Sequence, residues 1–91
     1  EVAEVKKIIN PAAFLMYPNP VIMSNSLKLE FTNVKSEKTF ITITDLKGTR
    51  VFETVTTGNN YIFNTKGLIG GIYVVRIKNT NTDTTQKLVV Q

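Results

Sequence analysis

The chain has 91 residues, 42% apolar and 20% charged, with a formal charge of +4 and neither cysteine nor histidine. That is the length and composition of one small folded domain. Disulfide staples, Cys/His zinc sites, Ser-His-Asp triads and cysteine nucleophiles are excluded from these residues. Val, Ile and Thr supply 32 of the 91 residues, and branched Cβ atoms favour the pleated surface of a sheet over a helix.

Residues 1–13 stand apart. Val2, Val5, Ile8 and Ile9 have helix-like spacing that Asn10-Pro11 ends, so a linker or the tail of a preceding domain is expected. No apolar core of signal-peptide length is present, and the longest apolar run, residues 12–17, is far short of a membrane span. With no initiator Met, the chain reads as a piece of a longer protein.

From Phe14 the period becomes two. Phe14, Leu15, Met16 and Tyr17 form a short apolar run that stops at Pro18-Asn19-Pro20, where a stiff, extended segment is expected. Leu27, Leu29 and Phe31 alternate with polar residues, and a polar turn over 33–38 follows. Ile41 and Ile43 alternate with Thr42 and Thr44 in a strand over 39–45, and Asp45-Leu46-Lys47-Gly48 has hairpin-turn chemistry. Residues 50–56 return, with Val51, Glu53 and Val55 on one face. A turn over 57–60, a short strand over 61–63 and a loop over 66–71 plugged by Leu68 come next. Tyr73, Val75 and Ile77 mark the inner face of the most apolar strand, over 72–78. A polar turn over 79–84 precedes a last strand over 86–91. About seven short strands with regular turn signals predict an all-β, immunoglobulin-like antiparallel β-sandwich over residues 14–91.

Chemistry is sparse. Glu30, Glu37, Asp45, Glu53 and Asp83 lie on separate strands and turns, so no paired-carboxylate site or calcium loop assembles. Asp45 is expected to cap its turn. Gly70-Gly71 lacks the rest of a phosphate loop. The lysines are dispersed, the pattern of a solvated β-surface and not of a nucleic-acid interface. Neither a cofactor nor a metal is expected. Tyr61 and Phe63 alternate with Ile62 and are expected in the core; the alternative function is an immunoglobulin-like structural or carbohydrate-binding module of a surface protein, in which exposed aromatics would form the binding platform.

Four motifs occur in order: Tyr17-Pro18-Asn19-Pro20-Val21; Ile41-x-Ile43-x-Asp45-Leu46-x-Gly48-x-x-Val51; Asn64-x-x-Gly67-Leu68-x-x-Gly71-Ile72-Tyr73-x-Val75-x-Ile77; and Lys87-Leu88-Val89-Val90-Gln91. Together they resemble the type A C-terminal sorting domain of the type IX (Por) secretion system of Bacteroidota. The resemblance implies a non-catalytic secretion signal at the end of a larger cargo. It implies transit through the periplasm, recognition by an outer-membrane barrel shuttle, and upstream cleavage by a sortase-like cysteine peptidase. The cargo would end on the cell surface or be secreted. Lys87, Leu88, Val89, Val90 and Gln91 are expected to be read by the receptor, through strand addition or capture of a terminal carboxylate. Tyr17, Pro18, Asn19, Pro20, Asp45, Gly48, Leu68, Gly71, Tyr73, Val75 and Ile77 are expected to be structural.

Overall fold

In a computed structural model of the chain, the described residues are 14–31, 38–79 and 83–91. The expected linker over 1–13 lies outside them, as do most of the expected turn over 33–38 and part of that over 79–84. The described residues form seven strands and no helix: β1 (Leu15–Tyr17), β2 (Ser26–Glu30), β3 (Thr39–Asp45), β4 (Arg50–Thr56), β5 (Asn60–Asn64), β6 (Gly71–Lys78) and β7 (Asp83–Val90). They make two antiparallel sheets, ordered β1-β2-β5 and β4-β3-β6-β7, the sandwich that the alternating pattern predicts.

Alternation decides which face each strand buries. Leu27 and Leu29 of β2 and Phe63 of β5 face Ile41 and Ile43 of β3, Tyr73, Val75 and Ile77 of β6, and Leu88 and Val90 of β7 in one core. Phe14, Met16, Val21 and Phe31 complete it. Thr39 is buried too, and its hydroxyl accepts a hydrogen bond from the Asn79 side-chain amide at 3.3 Å. On one flank the Phe52 ring of β4 packs against Phe63 and Tyr61 of β5, with centroids 4.5 and 6.2 Å apart. On the other, the Gln86 side chain of β7 donates to the Phe14 carbonyl beside β1.

Three details differ from expectation. Residues 18–20 bend instead of running extended, with cis peptide bonds at Tyr17-Pro18 and Asn19-Pro20. β7 starts at Asp83 and not at residue 86, because Asp83, Thr84 and Thr85 pair with Lys78, Ile77 and Arg76. β3 and β4 lose register between Ile43 and Thr44, where Phe52 and Arg50 are the partners and Val51 is left over as a β-bulge.

The register gives the sandwich two distinct poles. Asp45 pairs with Tyr73, Gly71 with Val90, Val21 with Val90 and Ser26 with Asn64. The β3–β4 turn, the β5–β6 loop, residues 18–25 and the end of β7 therefore share one pole. The β4–β5 turn and the start of β7 lie at the other, roughly 25 Å away for strands of eight residues.

Candidate functional site

The terminal strand is held by a strap. In an antiparallel pair, successive residues point their N–H and C=O groups alternately to the two edges. The odd residues of β7 thus present theirs away from β6, as Gln91 does, and residues 19–23 cover those of Lys87, Val89 and Gln91. The Asn19 side chain donates to the Lys87 carbonyl at 2.9 Å and accepts from the Val89 N–H at 3.0 Å. The Val21 N–H donates to the Val89 carbonyl at 2.9 Å, and the Gln91 N–H donates to the Val21 carbonyl at 2.8 Å. The Met23 N–H donates to the Gln91 oxygen at 2.8 Å. Proline has no N–H to offer a ladder. Between Pro18 and Pro20, the Asn19 carboxamide supplies the donor and acceptor that a strand's backbone would supply. Val21, fully buried, anchors the strap in the core.

A hairpin turn and a loop that crosses between the sheets complete this pole. At the β3–β4 turn, Asp45 Oδ1 accepts from the N–H groups of Lys47 and Thr49, each at 2.9 Å, and the Gly48 N–H donates to the Asp45 carbonyl at 3.0 Å. This is the capping role expected of Asp45, and Gly48 takes the φ of +89° that a side chain would oppose. In the β5–β6 loop, the buried Thr65 hydroxyl donates to the Asn25 carbonyl at 2.9 Å and the Thr65 N–H to the same carbonyl at 3.1 Å. The loop is thereby tied to the strap. Leu68 is half-buried against the core, as the expected plug, and the Tyr73 hydroxyl donates to the Ile69 carbonyl at 2.6 Å. A cleft of about 450 Å³ opens between turn and loop, lined by Asp45, Val51, Leu68, Ile69, Ile72 and Tyr73 among others.

Of the three ion pairs among the described residues, Arg50–Glu53 sits at the start of β4 next to this pole, and the other two lie away from it. On the outer face of the three-stranded sheet, Lys28 pairs with Glu30 at 3.3 Å and stands over the Tyr17 ring, 6.0 Å from its centroid. Hydrogen bonds from Tyr17 and Lys28 hold the Glu30 carboxyl below its ordinary value, and the bond to Glu30 raises Tyr17 and Lys28 above theirs. At the opposite pole Arg76 makes a two-bond pair with Asp83, Nε to Oδ1 at 2.8 Å and Nη2 to Oδ2 at 2.7 Å. That pairing lowers Asp83 and raises Arg76.

The fold brings most of the singled-out residues together. Pro18, Asn19 and Pro20, Asp45 and Gly48, Leu68 and Gly71, and Lys87, Leu88, Val89, Val90 and Gln91 cluster at or next to one pole, over Tyr73. Tyr17 lies on the outer face beside it, and Val75 and Ile77 continue into the core. Strand addition along β7 from Lys87 onward would require the strap to leave. Phe63 is only 7% exposed and Tyr61 is half-buried, so these two rings do not form a binding platform. Thr65, and the clamping role of the Asn19 side chain, are absent from the sequence reading. Their partners lie 40 to 70 residues away, and the one available signal was a carboxamide fixed between two residues without N–H groups.

A search of the curated proteins finds no match. A family model described as "secretion system C-terminal sorting domain" matches residues 15–91, which takes in all seven strands and all four motifs. The chain belongs to the secretion system C-terminal sorting domains, the sorting signals of type IX secretion cargo.

Proposed function

We propose that residues 14–91 act as a self-contained export tag, read at the pole where strap and terminal strand meet, and that residues 1–13 link it to an upstream cargo. The carrying observation is that motif residues from four separated stretches of sequence converge on this pole, around the last residues of β7. A tag that serves a cargo by being bound needs a firm, presented epitope and no chemistry of its own. The strap supplies the firmness. Lys87 and Val89 point outward while Leu88 and Val90 complete the core, so one short segment can be structural and legible together. The partners in this reading are an outer-membrane barrel shuttle that binds the folded pole and a sortase-like peptidase that cleaves upstream. The cargo reaches the periplasm before crossing the outer membrane.

The test keeps the core intact. A reporter carrying the whole chain with Lys87→Glu and Val89→Thr is compared with the parent in a type IX-competent host. Lost export with an unchanged melting temperature is expected. Undiminished export of a folded double variant would overturn recognition at the terminal strand.

A further inference from the structure

The same pole carries an apolar crown. The two most exposed large apolar side chains among the described residues are Ile69, 77% exposed in the β5–β6 loop, and Leu46, 69% exposed in the β3–β4 turn. Ile69 lines the cleft, and Leu46 follows Asp45, which lines it too. Ile22 and Met23 of the strap, 55% and 45% exposed, extend the apolar surface. Single exposed aliphatics are ordinary, but a cluster of them at one end of a small domain marks an interaction site.

The charge around the crown says what would cover it. Lys47 follows Leu46, and Lys66 precedes Ile69 by three residues. Both are exposed, and among the described residues neither ammonium has an acidic partner. The acidic side chain nearby, Asp45, already accepts two backbone N–H groups through Oδ1. The tips are aliphatic, and each is flanked by a flexible cation. Protein hot spots favour Trp, Tyr and Arg set in pockets. Leu and Ile with Lys at their margins suit the headgroup boundary of a bilayer, where aliphatic chains enter and ammonium groups reach phosphates.

We propose that this pole docks on an anionic lipid surface, with Leu46 and Ile69 at headgroup level and Lys47 and Lys66 on the headgroup charges. Docking would confine the tag to two dimensions and shorten its search for the export machinery.

The whole chain is sedimented with vesicles of phosphatidylglycerol and phosphatidylcholine, and with phosphatidylcholine alone. Binding to the anionic vesicles alone is expected, weakening as salt rises from about 0.1 to about 1 M. Leu46→Ser with Ile69→Ser is expected to cut the bound fraction about tenfold at an unchanged melting temperature, and Lys47→Glu with Lys66→Glu to do the same. Absence of binding to anionic vesicles would overturn the proposal. Full binding by the Leu46/Ile69 variant would also overturn it, since attraction would then come from net charge alone. Failure to bind vesicles, together with crosslinking of the tips to an outer-membrane protein, would reassign the crown to a protein partner. The sorting role is read separately, by export of the same variants.

Discussion

Replacing Asn19 by Ala removes the side-chain clamp and leaves the strap backbone in place. The parent carboxamide makes two neutral hydrogen bonds, to the Lys87 carbonyl at 2.9 Å and from the Val89 N–H at 3.0 Å. Each is worth about 1 kcal/mol net. Both are exposed, so water replaces them in part, and the expected loss is about 1–2 kcal/mol. For a domain of this size that lowers the melting temperature by roughly 5–12 °C. Hydrogen exchange gives the local signature. Val89 donates to Asn19 and faces away from β6, whereas Leu88 and Val90 face β6. In Asn19→Ala the Val89 amide should therefore exchange at least about tenfold faster, with Leu88 and Val90 slowed or hastened only by the global change in stability. Asn19→Asp keeps an acceptor for Val89 but loses the donor to Lys87, and its stability should fall below the parent's. A melt within about 0.3 kcal/mol of the parent's, with unchanged Val89 exchange, would refute the clamp.

Tyr73 is 5% exposed and its hydroxyl anchors the Ile69 carbonyl. Tyr73→Ala should cost about 3–5 kcal/mol through the cavity, and Tyr73→Phe about 1 kcal/mol through the lost hydrogen bond; equal melts for the two would contradict the packing described. The Asp83 and Glu30 carboxyls are held below their ordinary values by hydrogen bonds with Arg76 and with Tyr17 and Lys28. A lowered folded value means that their contribution is fully present above the unfolded carboxylate range, about pH 4, and is lost as pH falls through the folded values. Urea melts across that window should show stability falling on acidification, with a shallower fall in Asp83→Asn. A slope unaltered by that substitution would show that the exposed pair carries nothing.

The strands were legible where side-chain alternation spoke for itself. The bounds of β3 and β4 match the Thr39–Asp45 and Arg50–Thr56 patterns residue for residue. β7 begins three residues early because Asp83, Thr84 and Thr85 owe their places to backbone pairing with β6, which polar residues join as readily as apolar ones. The β-bulge at Val51 changes no apolar pattern and leaves no mark in sequence. Asp45 and Asn19 show the same contrast at the site. Asp45 bonds to backbone two and four residues on, so a local motif announces it. Asn19 bonds to backbone 68 and 70 residues on, which only the closed sandwich brings within reach. The order of the four motifs pointed to the family, and the register of the sheets then showed that those motifs meet at one pole.

The central claim is that this domain is an export signal. Fusing the whole chain to the C-terminus of a folded periplasmic reporter, in a host with working type IX machinery, tests it most directly. The reporter is expected on the cell surface or in the medium, and in the periplasm when the machinery is disabled. A reporter that stays in the periplasm of the competent host, with the attached domain folded and protease-resistant, would contradict the account.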